Sequence, residues 1–417
     1  MNDGIDKGAC KVQYTNFDEA IDLVVGAGPG ALLAKADIKS AFRLLPIHRS
    51  PLRICVFWGK KIDEQFFVDK VLPMGASCAP ALLETFSTFL EWVVRKQSGS
   101  ERICHYADDF LFVGEKGAAS GFSCLDILNC FRVVCGNLGV PLAEEKTVEP
   151  TTQLTFLGLD INTESQTISV PDEKLRKISE MILSADRAKN LTMRSLQSLI
   201  GSLSFICRAV APGRAFLRRL IDLLKGVKKP WHKIQFTKGA KADLIMWHVF
   251  LQKFNGRTMI ADRYWVTDSD LELFTDASRG IGFGGYFAGQ WFKDIWHESV
   301  QSDTRSIAWL EFFPVLVALT LWGKQLSGKR ILIRSDNLAV VGIINKQTSK
   351  CPQIMKLLRN FVLQCLLYNV SFRSKHIPGA QNHIADALSR SQMTRFKELA
   401  PSAASQGLQV PKFLWNL

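Results

Sequence analysis

The chain has 417 residues, 47% of them hydrophobic and 22% charged, which excludes a disordered or collagen-like polymer and fits roughly two to four folded domains. Its 52 Lys and Arg against 39 Asp and Glu leave a net charge of +13, a balance that favours a polyanionic partner, most simply nucleic acid. Ten cysteines are scattered without a CxxC pair, most of them in apolar runs; this excludes an ordinary zinc finger and fits buried reduced thiols in an intracellular protein.

The opening MNDGIDKGAC has no apolar signal core, and no run of about 18 uncharged apolar residues occurs, so neither secretion nor a membrane span is expected. From Ala31 to Val170 strand-like and helix-like segments alternate. FRLLPIH, ICVFW and QFFV read as strands, and APALLETFSTFLEWVVRK has apolar residues at helical spacing. ICHYADDFLFVG reads as two short strands with a tight turn at its acids. From Pro171 to Asn255 the pattern is helical and rich in Lys and Arg, with breaks at Pro212-Gly213 and Lys228-Lys229-Pro230. From Leu271 the strands LELFTDAS, GIGFGGYFA and QWFKDIW follow one another. A helical stretch around WLEFFPVLVALTLWG, the strand KRILIRSD, two further helical stretches and VSFRSKHI come next. After Arg390 the chain is polar and is expected to be loose. The expected organisation is multidomain α/β: a mixed domain over residues 1–171, a basic helical part over 172–264, a second α/β domain over 265–392 and a polar tail over 393–417.

One motif points elsewhere. VVGAGPGA, with Gly26, Gly28 and Ala31, fits the dinucleotide fingerprint G-x-G-x-x-A, with Asp22-Leu23-Val24-Val25 as the strand before it. That reading needs an acid about 20 residues on to hold a ribose, and none occurs between Ile38 and Ile62. A Gly/Pro loop between two elements is the simpler reading.

The acids fall into two groups. Asp37 precedes a strand-like segment, and Asp108 and Asp109 lie between two apolar strands. Successive strand side chains point to opposite faces, so only a tight turn brings both aspartates to one place. Clustered carboxylates repel each other, and a divalent cation resolves the conflict. In chain order DIKSAFRLLPI, LPMGASCAP, YADD and FLGLDI, at Asp37, Leu72, Tyr106 and Phe156, resemble the successive motifs of a reverse transcriptase palm. The resemblance implies that Asp37, Asp108 and Asp109, with the carbonyl of Ile38, hold two metal ions. It also implies that Phe42 is the aromatic gate against a ribose 2′-OH, and that Met74, Gly75 and Tyr106 line the nucleotide and template. Lys146 would stand near the leaving pyrophosphate, and Phe156–Asp160 would grip the primer end. From the residues alone, Phe42 reads as core, the glycine loop as a plain turn and Lys146 as a surface lysine.

The second group is Asp276 in FTDAS, Glu311 in the apolar helical stretch, Asp336 at the end of ILIRSD and Asp386 in NHIADALSR. Unpaired carboxylates in apolar surroundings are costly, although Asp336 or Asp386 could cap a helix. TDAS, a helix Glu, SDN and ADALSR together resemble ribonuclease H, which implies a four-carboxylate, two-metal site and a mixed five-stranded sheet. His376 and His383 are candidate proton or product carriers on the same resemblance. Pro314 places the helix start near Leu310, or a bend there.

The order of palm, basic helical thumb-like stretch and ribonuclease H is that of retroelement polyproteins. NDGID, LLAKADIKSAFRLLPIH, RAVAPGRAFLRRL and HIPGAQNHIADALSR look most like the DIRS type, with gypsy-like elements as neighbours. The resemblance implies RNA-directed DNA polymerase and RNA–DNA hybrid ribonuclease H activities. Its cofactor would be Mg²⁺, two ions per site with Mn²⁺ as a substitute, and its partners RNA template, DNA primer, RNA–DNA hybrid and dNTPs. RAFLRRL and GVKKPWHK fit a track along a duplex backbone. The fingers segment whose Lys and Arg hold the triphosphate has no counterpart before Asp37, and neither Lys7 nor Lys11 lies in a matching motif. Ribonuclease H activity is therefore expected more firmly than DNA synthesis, and the alternative is a nucleic-acid-binding remnant with a disabled polymerase.

Overall fold

In the computed structural model of the chain all residues are described except 1, 3–4, 48–69, 119–122, 256–257, 260–270, 301–303, 369 and 417. The expected strands ICVFW and QFFV and the boundary at 264/265 lie outside the described residues. Contacts divide the chain into two units, Met1–Pro171 with Gly256–Arg263, and Asp172–Asn255 with Tyr264–Leu417.

The first unit opens with α1 (Phe17–Ala27), started by a capping box in which the Asn16 side chain accepts from the Asp18 and Glu19 N–H groups. Val24 and Val25, which the dinucleotide reading takes as a strand, are the last turns of this helix. Gly28 (φ 84°) and Gly30 (φ 77°) take left-handed conformations that end the helix and turn the chain into β1 (Leu32–Asp37). A helix, not a strand, leads into the glycines and a strand follows them, the reverse of a phosphate-binding strand–turn–helix.

After β1 come α2 (Ala79–Ser98), β2 (Ile103–Tyr106), β3 (Asp109–Gly114), α3 (Cys124–Leu138) and β4 (Val148–Thr151). The strands form an antiparallel sheet of order β2-β3-β1-β4. Ala34, Ala36, Phe110 and Phe112 alternate onto one face and pack with Leu83 and Leu90 of α2 and Ile127 and Phe131 of α3. FRLLPIH departs from expectation. Ser40 (φ 54°) reverses the chain directly after β1, and Ala41–Leu44 forms a 3-10 turn that leaves only a Pro46–Val71 bridge. A second sheet joins β5 (Gln153–Phe156), β6 (Leu159–Asn162), β7 (Thr167–Ser169) and β10 (Thr258–Met259) in the order β10-β7-β6-β5.

The second unit begins with α4 (Asp172–Arg187), α5 (Met193–Ile206), α6 (Arg218–Asp222) and α7 (Lys238–Phe254), with the hairpin β8 (Asn190–Thr192) and β9 (Lys233–Gln235) among them. Its main sheet has the order β13-β12-β11-β14-β15. β11 (Glu272–Ser278), β12 (Gly282–Phe287) and β13 (Gln290–Ile295) are antiparallel, whereas β14 (Arg330–Ser335) and β15 (Ser371–His376) run parallel to β11. The mixed five-stranded sheet is thus as expected. The helices are α8 (Ile307–Trp322), α9 (Leu338–Lys346), α10 (Pro352–Leu367), α11 (His383–Ser389) and α12 (Met393–Leu399). α8 is apolar on every side and buried from Trp309 to Leu319, as a central core helix must be.

Three features of this unit differ from the sequence expectations. α8 starts at Ile307, where Ser306 caps it by accepting from Trp309 N–H, so Pro314 lies in its interior rather than its first turn. The basic helical part belongs to the same unit as the second α/β domain. Buried Asp243 of α7 accounts for this, because it pairs with Arg219 of α6 at 3.1 Å and with Arg359 of α10 at 3.5 Å. The tail is not loose. Phe396 is buried against Trp291, Leu414 is buried, Trp415 lies against Phe283 and Phe313, and Trp291 Nε1–H donates to Ala404 O at 2.7 Å. Twelve of the 25 residues from Met393 on are hydrophobic, and Phe396, Ala400, Val410 and Leu414 are buried, so apolar burial orders the segment.

Among the described residues no helix is long and apolar enough to cross a membrane, and the described cysteines are free thiols. Burial pushes Cys104, Cys124, Cys135 and Cys207 up to about 12, which keeps them inert.

Candidate active sites

The acids of the second unit converge. β11 and β14 are adjacent and parallel, with Phe274 opposite Arg334, so Asp276 and Asp336 stand at the same end of neighbouring strands, about 4.8 Å apart in the ladder direction. α8 packs against β11 and brings Glu311 beneath them. The ligand atoms of Asp276, Glu311 and Asp336 lie within 4.8 Å of one another. Three charges at such spacing repel by on the order of 3 kcal/mol per pair at an effective dielectric of ~20.

Burial and the neighbouring acids lift these groups. Glu311 is pushed up to about 9 by burial and by Asp276 and Asp336, against the pull of the Ala277 amide. Burial carries Asp276 to about 6, opposed by the hydrogen bond from Ser389. Asp336 is also raised, by burial first. Glu311 Oε2 is buried and has no hydrogen-bond partner. An orphaned carboxylate oxygen aimed into a triad of acids is the donor set that a hard divalent cation takes. The cluster fits a metal ion.

Asp386 does not join the triad. Arg390 Nε and Arg395 Nη1 hold it at 2.6 and 2.7 Å. Burial alone would raise its carboxyl, but the two guanidinium hydrogen bonds outweigh that and keep it below its ordinary value. His376 Nε2 lies 3.1 Å from Asp336 O, and His383 Nδ1 lies 3.1 Å from Ala380 O; His376 is exposed and His383 half-buried. α11 reaches the site because Gly284 of β12 lets Leu388 approach, where a Cβ would stand 2.4 Å from the Leu388 Cβ. Ser389 Oγ then donates to Asp276, and Asn382 Nδ2 donates to Thr275 O at 3.0 Å. Ser389 and Arg390 lie within ADALSR itself. Arg395 lies in the tail, which composition had set aside.

The acids of the first unit are brought near one another but not into so tight a cluster. Asp37 and Asp109 are opposite residues of β1 and β3, and the turn before Asp109 carries Asp108, whose carbonyl accepts from Ile38 N–H at 3.1 Å. Each of the two strand aspartates already has a cation. Lys146 Nζ lies 3.1 and 3.0 Å from the two Asp37 oxygens, and Lys35 Nζ lies 3.0 Å from Asp109 Oδ1. Burial still lifts Asp37, with Lys146 pulling against it, while Asp37 raises Lys146. Lys35 was missed in the sequence, although its place two before Asp37 puts both on one face of β1.

Around these acids, Phe42 is half-buried and packs between two apolar clusters. Met74 is 65% exposed, and Gly75 has φ 97°. Asn2 pins that loop: its Nδ2–H donates to Gly75 O at 3.1 Å and its Oδ1 accepts from Ser77 N–H at 3.0 Å. Tyr106 stacks on Tyr14 with ring centroids 4.6 Å apart. Phe156–Asp160 forms the β5–β6 turn through Leu157 (φ 46°) and Gly158 (φ 74°). Asn2 and Tyr14 carry no local pattern that would have marked them.

Residues 19–161 match the family model described as reverse transcriptase (RNA-dependent DNA polymerase). The chain is 27% identical over 222 residues to the Gag-Pro-Pol polyprotein of Mason-Pfizer monkey virus, covering 52% of this chain and 11% of that one. It is 22% identical over 372 residues to the Transposon Tf2-3 polyprotein of Schizosaccharomyces pombe (strain 972 / ATCC 24843), covering 86% of this chain and 25% of that one. The chain thus spans a quarter or less of the length of these relatives. Its fold is similar to the solved structure of the foamy viral protease-reverse transcriptase dRH in complex with double-stranded DNA, with a TM-score of 0.50 at 16% identity over 88% of this chain and 60% of that one.

Proposed function

We propose, for a chain that belongs at residues 19–161 to the reverse transcriptase family and is a reverse transcriptase region of the retroelement kind, two activities on nucleic acid: RNA-directed DNA synthesis, and hydrolysis of the RNA strand of RNA–DNA hybrids. The observation that carries the second activity is the triad of Asp276, Glu311 and Asp336 with its orphaned Glu311 oxygen. Polymerase activity rests on the family match and on Asp37, Asp108 and Asp109 at one end of the two central strands of a sheet.

In the second unit Asp276, Glu311 and Asp336 would hold Mg²⁺, with Asp386 as a fourth ligand once its arginines turn to substrate phosphates. The ions would polarise the phosphate and acidify the attacking water. The chain's own contributions are clear from its residues. Ser389 orients Asp276, and Asn382 ties the start of α11 to β11. Arg390 and Arg395 carry charge suited to phosphate oxygens. RNA would be preferred because its 2′-OH marks the strand.

In the first unit Asp37, Asp108, Asp109 and the Ile38 carbonyl would hold Mg²⁺, and dNTP would bind over Phe42, Met74, Gly75 and Tyr106. Phe42 would exclude a 2′-OH by occupying its place. Lys146 would leave Asp37 as metal arrives and meet the departing pyrophosphate, a role that suits a fully exposed, flexible ammonium. The basic helices of residues 172–255 would follow the duplex backbone. Free thiols fit action inside a cell.

A second reading has its own support. Lys146 and Lys35 neutralise the first acids, so a ribonuclease H with a silent polymerase is the alternative. One gel decides. A recessed RNA–DNA hybrid with separately labelled RNA and primer is incubated with dNTPs and Mg²⁺, beside an Asp336→Asn variant. RNA cut by the wild type alone, together with a lengthened primer, is expected. Cleavage without extension selects the alternative, and neither product from a protein that binds the hybrid defeats both.

A further inference from the structure

The aspartate turn of the first unit rests on a buried charged chain that no sequence motif announces. Ala107, between Tyr106 and Asp108, has φ 54°. A non-glycine residue there is strained and persists only when its surroundings hold it. Its N–H donates to Glu84 Oε2 at 3.1 Å. The other side of the turn is held by the Ile38 N–H on the Asp108 carbonyl. Glu84 therefore supplies a polar restraint on the segment that carries both adjacent acids.

Glu84 is itself fixed. It lies on α2, 7% exposed, and its Oε1 is 3.3 Å from Nε2 of His105, which is 4% exposed. The opposite ring nitrogen, Nδ1, meets Glu91 Oε2. Glu84 and Glu91 are two helical turns apart and face the same way. The His105 ring also stacks on Phe110, centroids 5.3 Å apart. Glu91 is held by Arg95 at 2.6 Å, and Arg95 Nη2–H donates to Ile103 O at 2.8 Å at the start of β2. Burial raises the Glu84 carboxyl, with His105 and the Ala107 amide opposing. Burial first, then Tyr106 on which it stacks and Glu84, raise the Tyr14 hydroxyl. A solvated helix face would carry none of this. One acid and a histidine are buried and a second acid is half-buried where apolar residues would pack at lower cost.

We infer that Glu84, braced by His105, Glu91 and Arg95, is a positioning residue that holds the Ala107–Asp108–Asp109 turn in its metal-binding geometry. This rests on the palm reading above. Glu84 touches neither metal nor substrate and acts through the Ala107 amide. Groups placed behind the ligands of a metal site typically change metal affinity by about 10–100-fold when removed.

The test is Mn²⁺ binding, followed by paramagnetic relaxation of water, on the full chain carrying Asp276→Asn, Glu311→Gln and Asp336→Asn to silence the second unit. Glu84→Met fills the space but cannot accept a hydrogen bond; Glu84→Gln keeps an acceptor. We expect Glu84→Met to weaken Mn²⁺ binding at least ~10-fold, and Glu84→Gln to stay within about threefold. Amide exchange should quicken in residues 103–111 of the Met variant and stay unchanged elsewhere, which shows that the fold persists. Should bulk at that site unfold the chain, Glu84→Ala removes the same acceptor and carries the same expectation. Parent-like affinity in a folded Met or Ala variant overturns the inference, and so does a Gln variant as weak as the Met variant. A parent that binds no Mn²⁺ in the first unit overturns the palm reading itself, and the inference falls with it.

Discussion

The two groups of acids are built on opposite electrostatic plans. In the second unit Asp276, Glu311 and Asp336 converge, burial and the neighbouring acids push Glu311 up to about 9, and one buried oxygen has no hydrogen-bond partner. In the first unit lysines stand on Asp37 and Asp109. In one site burial and crowding lift the carboxyls, and in the other two of the three acids are already paired with lysines. The second should therefore take metal as a gain in stability, whereas the first should exchange one cation for another. The difference has a structural origin. Glu311 comes from a helix buried on all sides, where water cannot screen it, whereas Lys146 is exposed and can leave.

The largest effects should come from deleting one acid from each group. Asp336→Asn should lower RNA cleavage about 10³-fold or more and leave primer extension intact, and Asp108→Asn should do the converse, both read on one gel. Loss of both products from either variant would break the separation. Next, Gly284→Ala puts a methyl against Leu388 and should cost about 1–3 kcal/mol in urea unfolding, with cleavage reduced as α11 is displaced from β12.

Linkage to pH sharpens the contrast. Glu311 sits at about 9 in the fold against ~4.3 when unfolded, so between those values the folded protein holds the extra proton. Stability without metal should then fall as pH rises through that window. Glu311→Gln should flatten the fall, and Mg²⁺ should raise the melting temperature more at pH 8 than at pH 5. An equal Mg²⁺ effect at both values would show that the acids are not coupled to the ion. The smallest effect should be Lys146→Ala, which frees Asp37. Mn²⁺ binding in the first unit should tighten about two- to fivefold while extension slows. Unchanged affinity would show that the lysine is a bystander.

Legibility followed locality. Asp37, Asp108, Asp109, Asp276, Glu311 and Asp336 each sit in a short run whose strand or helix character is set by its own residues. FTDAS and ILIRSD could be placed at the ends of strands before any packing was known. The mixed sheet was implied by the resemblance to ribonuclease H that those runs carry. FRLLPIH misled because its apolar composition is overruled by the reversal at Ser40 and by Pro46, and the tail misled because it is less polar than it was read, with Phe396, Ala400, Val410 and Leu414 buried. Pro314 misled because a cap at Ser306 starts the helix earlier than the proline alone suggests.

By itself the sequence placed Asp37, Asp276 and Asp336 at strand ends, since apolar strand runs are legible from their own residues, while the roles proposed for them rest on the family resemblance. Tertiary structure alone decided how each carboxylate is answered. Asp386 is held by Arg395 from the tail, Asp37 by Lys146, Asp109 by Lys35 and the aspartate turn by Glu84 through Ala107. The reason is physical. Charge interactions depend on distance and burial, and residues far apart in the chain acquire both only when the fold brings them together.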